Sequence, residues 1–88
     1  MSAKEWNVTV FIDEGPDRTV ARAVMTDDGR MAAVGRGVAR RNPVDRPVAE
    51  IGDELAVSRA LEDLAQRIHD MASHDFAHMA GPAGQVPA

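Results

Sequence analysis

The residues with the clearest chemical potential are three histidines near the end of the chain. His69, His74 and His78 are interleaved with Asp70 and Asp75. On a helix, His74 and His78 would share one face one turn apart, a spacing at which two imidazoles can bind one metal ion. Two ligands do not complete a metal site, and histidines also favour the negative end of a helix dipole. We therefore expect no metal and no other cofactor.

Groups suited to catalysis are sparse elsewhere in the sequence. The chain has no cysteine and no tyrosine, which excludes thiol nucleophiles, disulfides and thiolate zinc sites. The neighbouring carboxylates Asp27 and Asp28 would diverge on a strand, so they are better explained by a turn. Gly35-Arg36-Gly37 lacks the further glycine and the strand-to-helix context of a dinucleotide-binding loop. The sequence therefore predicts a protein that is not an enzyme.

Positive charge is concentrated in one segment. Residues 29–49 carry five basic residues and one acidic residue, whereas the whole chain has 10 basic and 14 acidic residues and a net charge of −4. A basic segment from Arg30 to Arg46 can attract phosphate or an acidic protein. The candidate contacts are Arg36, Arg40, Arg41 and Arg46. Because the net charge opposes counterion release, binding of double-stranded RNA or another nucleic acid is the disfavoured alternative.

The first half of the chain predicts the elements that position these arginines. Alternating side chains indicate strands over about residues 5–13, 18–25 and 31–41. Turn formers separate them, with Gly15-Pro16 in the first turn and Asp28-Gly29 in the second. The pattern predicts a three-stranded antiparallel meander.

The two faces of this sheet differ in side-chain size. Small residues on one face, which would let a helix approach the backbone, are Ala21, Ala23, Ala33, Gly35, Gly37 and Ala39. We expect the first strand to extend this core with Trp6, Val8, Val10 and Ile12. The opposite, open face would carry Phe11, Val20, Arg22, Val24, Val34, Arg36 and Val38. A slip of one residue would exchange the faces and make the valines core. An apolar patch containing guanidinium groups predicts a homodimer or binding of a protein partner.

One long helix is predicted after a proline-containing loop over residues 42–47. Gly52-Asp53 resembles an N-cap, so we expect the helix from residue 53 to residue 74 or beyond. Arg59 and Asp63 are spaced to form a surface ion pair. The apolar positions at helical spacing are Leu55, Val57, Leu61, Leu64, Ala65, Ile68, Met71 and Ala72. We expect a single domain over residues 1–79 and a disordered tail over residues 80–88.

The order of three strands and a helix resembles the latter part of the double-stranded-RNA-binding-domain fold, without its first helix. More closely, VGRGVARRNP (residues 34–43), VAEIGDELA (48–56) and RALEDLA (59–65) resemble a family of short proteins of high-GC Gram-positive bacteria, among them mycobacterial and streptomycete proteins. The resemblance covers the chain from Trp6 to about Met71. It implies an α+β fold like that of the RNA-binding domain and no assigned reaction or cofactor. Asp53 and Glu54, at the expected helix start, would repel phosphate, whereas the RNA-binding family has lysines there.

The composition predicts a small soluble protein of the cytoplasm. The polar start at Lys4 and Glu5 does not resemble a signal peptide. No apolar run approaches the roughly 20 residues that span a bilayer, so we expect no membrane association. The lack of cysteine also fits a reducing compartment.

Overall fold

The computed structural model describes residues 2–40 and 49–79. Three strands are followed by one helix: β1 (Trp6–Glu14), β2 (Arg18–Asp27), β3 (Arg30–Arg40) and α1 (Ala49–Met79). The strands form an antiparallel sheet in the order β1-β2-β3, and α1 packs on one of its faces. The predicted α+β meander with one long helix is confirmed. The loop predicted over residues 42–47 and the tail predicted over residues 80–88 lie outside the described residues.

Both hairpin turns form where the turn residues predict them. Asp28 and Gly29 adopt positive φ angles of 52° and 78°, as tight hairpins require. In the first turn the Gly15 amide donates a 2.8 Å hydrogen bond to the Arg18 carbonyl. These turns bring β2 into register with both of its neighbours.

The core lies between the small-residue face of the sheet and α1. A Cβ atom at Gly35 would overlap the backbone of Ala60 and Leu64, and one at Gly37 would overlap that of Ala56. Glycine therefore lets the helix backbone rest directly on β3. The buried apolar residues are Ala21, Ala23, Met25, Ala39, Ala56, Ala60 and Leu64. The face predicted to receive the helix does so, and the exchanged arrangement with a valine core is excluded.

The predicted contribution of β1 to this core is wrong for three of its four residues. Trp6, Val8 and Ile12 face the helix side of the sheet but are 51%, 47% and 43% exposed, and only Val10 packs partly against the core. A helix is about 10 Å across and neighbouring strands are about 4.8 Å apart, so one helix covers roughly two strands. The glycines hold α1 over β2 and β3, so the helix does not cover this side of β1.

The helix begins four residues earlier than the predicted residue 53, at Ala49, and reaches Met79. Gly52 is not an N-cap but an interior residue, where a Cβ atom would lie 3.0 Å from Oγ1 of Thr19. The predicted apolar stripe was also too broad, because Leu55, Leu61 and Met71 are exposed. Residues 69–79 are all exposed. In the described part of the chain, no helix is both long and apolar enough to cross a membrane.

Candidate functional site

The open face of the sheet, the face turned away from α1, collects all the residues predicted to form an interaction surface. These are Phe11, Val20, Arg22, Val24, Val34, Arg36 and Val38. The strand register arranges them in rows across the sheet. Phe11, Arg22 and Arg36 form the central row. The pairs Val24–Val34 and Val20–Val38 flank that row on either side.

Apolar and cationic groups alternate on this open face. Its four valines are half-buried, whereas Arg22 and Arg36 are exposed. The guanidinium carbon of Arg22 lies 5.1 Å from the centre of the Phe11 ring, within the range of a cation–π contact. Phe11 remains 46% exposed. The face therefore offers apolar surface and cations together.

Like charges meet twice on the open face. Arg22 lies directly opposite Arg36, and Arg18 lies directly opposite Arg40. Such cross-strand pairs of equal charge destabilise a sheet. Within the rows from Asn7–Thr26 to Arg18–Arg40, the one acidic residue on this face is Asp13. Of the other predicted phosphate or acidic-partner contacts, Arg41 and Arg46 lie outside the described residues.

Two backbone groups at the outer edge of β3 are bonded to side chains from α1. The Arg36 amide donates a 2.8 Å hydrogen bond to Oδ2 of Asp63, and Nη1 of Arg59 donates a 2.7 Å hydrogen bond to the Val38 carbonyl. Asp63 also pairs with Nε of Arg67 at 3.1 Å. The predicted Arg59–Asp63 pair is therefore replaced by two contacts to the strand edge. Two hydrogen bonds lower the pKa of Asp63, and the bond from the Arg36 amide has a larger effect than the bond from the Arg67 side chain.

Sequence reasoning missed a second exposed apolar surface, which we call the helix-side strip: Trp6, Val8, Val10 and Ile12. Arg59 and Asp63 lie on the flank of α1 that faces the β3 edge, so the opposite flank faces β1. That opposite flank carries Val57, Leu61 and Ile68. Strip and flank are therefore neighbouring apolar surfaces on the β1 side of the helix. The alternation of β1 revealed these residues, but it did not show that the helix would leave them uncovered.

A pair of carboxyl groups lies at one end of the helix-side strip. Hydrogen bonding to the Asp53 carboxyl, together with repulsion between the two charges, raises the pKa of Glu14 above its ordinary value of 4.5. Oδ1 of Asp53 is buried and has no hydrogen-bond partner among the described residues. This end of the strip is therefore less stable with both carboxyls ionised than with one protonated.

The histidines lie on the exposed last turns of α1. The ring centroids of His74 and His78 are 4.7 Å apart, and the ring planes are tilted by 40°. One turn earlier, Oδ1 of Asp70 accepts a hydrogen bond from Nε2 of Gln66. Across residues 2–40 and 49–79, no three His, Cys, Asp or Glu side chains are grouped to hold a metal ion. A shallow open depression beside these turns is lined by Ala32, Ala33, Val34, Arg67, Asp70, Met71, His74 and Asp75.

Comparison with known proteins places this fold in a family. The chain is 47% identical over 73 residues to uncharacterized protein Rv2632c of Mycobacterium tuberculosis strain H37Rv, covering 83% of this chain and 77% of that protein. It is 46% identical over 73 residues to uncharacterized protein Mb1767 of Mycobacterium bovis, with the same coverage. The crystal structure of Rv2632c superposes with a TM-score of 0.81 at 42% identity, covering 92% of this chain and 95% of that one. The family model named Rv2632c-like matches residues 4–84, and the chain belongs to the Rv2632c-like family.

Proposed function

We propose that this protein is a noncatalytic binding module whose open sheet face docks an acidic protein surface. The observation that carries the proposal is the row of Arg22 opposite Arg36, repeated by Arg18 opposite Arg40. Two such pairs cost stability in the free protein. A carboxylate of a partner placed between the guanidinium groups would turn this repulsion into attraction, because arginine binds carboxylates through paired hydrogen bonds.

The valines favour a protein over a nucleic acid as the partner. Val20, Val24, Val34 and Val38 surround the arginines on the same face. Phosphate contacts need only the cations, whereas a protein can also bury the apolar rows. Self-association through this face would set one arginine-rich surface against another, so the charge pattern favours a different, acidic protein. We further propose that the module acts in the cytoplasm, where its lack of cysteine carries no cost.

Fluorescence anisotropy with a labelled peptide of alternating Glu and Phe residues tests this proposal, with a short RNA duplex as the competing probe at the same salt concentration. Arg36→Glu should weaken peptide binding at least tenfold. Lys4→Glu makes the same charge change outside the sheet and should have a much smaller effect.

A second substitution separates the two kinds of partner. Val38→Ser removes apolar surface from the open face without changing its charge, so it should weaken peptide binding and leave duplex binding unchanged. The nucleic-acid alternative would replace this proposal if the parent bound the duplex tightly and Arg36→Glu left peptide binding unchanged.

A further inference from the structure

We infer that the partner of the open face is an α-helix that lies along β2 and β3 and presents acidic and apolar residues in alternate turns of its docked side. This partner is a more specific form of the acidic protein surface in the proposed function, on which the inference rests. The sheet would then lie between two helices, with α1 on one face and the partner helix on the other, which is a common layered arrangement.

The open face is built from rows of cross-strand neighbours, with one residue from β2 and one from β3 in each row. In order along the strands, the rows are Val24–Val34, Arg22–Arg36, Val20–Val38 and Arg18–Arg40. We call the first and third the valine rows and the other two the arginine rows. Successive rows are two residues apart in each strand, which is about 6.8 Å. The two arginine rows are therefore about 14 Å apart, with a valine row between them.

The width of this pattern fits one helix. Neighbouring strands are about 4.8 Å apart and a helix with its side chains is about 10 Å across, so a helix covers roughly two strands. The alternation of apolar and cationic residues is also confined to two strands. On β1, the polar residues Thr9 and Asp13 lie beside the valine rows instead.

The backbone of the partner decides between a helix and an extended segment. β2 pairs with both β1 and β3, so the middle of the open face presents side chains and no free backbone groups. An extended segment laid on this face would have its own amides and carbonyls removed from water without partners, which is costly. A helix bonds these groups internally. The face therefore favours a helix.

Helical geometry also matches the spacing of the rows. Residues three or four positions apart share a side of a helix and lie about 4.5–6 Å apart along its axis, and residues seven or eight positions apart lie about 10.5–12 Å apart. An acidic residue on one arginine row thus brings an apolar residue over the valine row and a second acidic residue near the other arginine row. The remaining difference of about 2–3 Å is within the reach of a long, flexible arginine side chain.

Asp13 adds repulsion against the wrong alignment. It is exposed and lies in the same row as Val20 and Val38. A carboxylate of the partner over this valine row would meet a like charge, whereas a carboxylate over an arginine row meets two guanidinium groups. A segment with an acidic residue in every turn is therefore disfavoured, and so is a phosphate backbone, whose charges recur at short intervals.

Two synthetic peptides of identical composition test the residue pattern. In the matched peptide, two Glu residues seven positions apart alternate with Leu residues on one side of an alanine-rich helix. In the segregated peptide, the Glu residues lie on one side and the Leu residues on the opposite side. Fluorescence anisotropy should show that the matched peptide binds about tenfold more tightly. Equal affinities, both weakened by Arg36→Glu, would overturn the inference and leave an acidic partner in place.

A third peptide tests the helix itself. Replacing two outward-facing alanines of the matched peptide by proline keeps every docking side chain and breaks the helix, and it should weaken binding about tenfold. Equal or tighter binding of the proline peptide would contradict the inference. Binding of the alternating Glu and Phe peptide but of none of these three would also contradict it while sparing the proposed function. If none of the four peptides bound, both would fail.

Double-mutant cycles test the assignment of the two acidic residues to the two arginine rows. In the matched peptide, Glu is replaced by Gln at one position at a time. Arg36→Glu should couple to one of these positions by about threefold or more in affinity, and Arg18→Glu should couple to the other. Lys4→Glu, outside the sheet, should couple to neither, and circular dichroism should show the parent's fold in every variant. Coupling of both arginine variants to the same position, or to neither, would overturn the inference.

Discussion

The amide of Arg36 and the carboxylate of Asp63, 27 residues apart in sequence, are joined by a 2.8 Å hydrogen bond across the edge of the sheet. The bond fixes α1 against β3 where Gly35 and Gly37 let the two backbones meet. It also links stability to pH, because the backbone hydrogen bond lowers the pKa of Asp63.

Asp63→Asn should lower the melting temperature at pH 7, because asparagine keeps an acceptor oxygen but loses the charge that holds Arg67. The pKa of Asp63 is lower in the folded protein than its ordinary value of 3.8. The stabilisation is therefore complete above pH 3.8 and is lost as the pH falls through the folded value. Melting curves between pH 7 and pH 2 should show the parent and variant converging at the acid end. Asp70→Asn is the charge-matched control, and an equal effect there would refute the assignment.

Glu14→Gln should raise the melting temperature at pH 7, because it removes one of two opposed carboxylates. The pKa of Glu14 is raised in the folded protein, so its ionisation costs stability above that pKa. The cost disappears as the pH falls toward the ordinary value of 4.5. The difference in melting temperature between Glu14→Gln and the parent should therefore shrink as the pH falls from 7 toward 4.5. Asp13→Asn removes a charge from the neighbouring residue on the open face and should not reproduce this pH dependence.

Gly35→Ala and Gly37→Ala should each destabilise the protein by about 1–3 kcal/mol or more, because the added methyl group would overlap the helix backbone. Chemical denaturation monitored by circular dichroism measures the loss. Gly52→Ala is the matched control, since the gain of about 1 kcal/mol from helix propensity is offset by a close contact with Thr19. A comparable loss at all three positions would show that close approach is not the reason for these glycines.

Arg36→Thr should stabilise the free protein by about 0.2–1 kcal/mol, because it removes a like charge opposite Arg22. The gain should decrease with added salt, which screens the repulsion. Arg30→Thr is the control and should lower the stability of the protein, because Arg30 lies opposite the acidic Asp27. Denaturation at two salt concentrations distinguishes the two variants. A loss of stability in Arg36→Thr would show that Arg36 supports the sheet rather than serving a partner.

Much of the fold could be predicted because its signals are local. The turn at Asp28 and Gly29, the alternation of the strands and the small residues of β2 and β3 identified the sheet and the face that receives the helix. The helix start was wrong because Gly52-Asp53 has the composition of an N-cap. In the fold, Gly52 instead serves a tertiary contact with Thr19, which a local pattern does not reveal.

The candidate sites show the same division between local and distant information. Strand alternation placed Phe11 and Arg22 on one face, although the contact between them needed the register. Exposure of the helix-side strip depended on where the helix axis crosses the sheet, and the strip's own residues do not encode that position. Arg59 and Asp63 matched a pair within the helix, so their contacts with β3 were hidden by an equally reasonable local explanation.

The contacts that Asp63 and Arg59 make with β3 have a consequence for how far an assembly of this chain can grow. A sheet whose two edge strands are both free can pair with further copies at each edge without limit. Here two backbone groups at one edge, the Arg36 amide and the Val38 carbonyl, are already bonded to the protein's own helix. A strand of another chain that paired with this edge would have to displace both bonds. Loss of Asp63 and Arg59 together would remove both bonds and expose this edge to pairing with a strand of another chain.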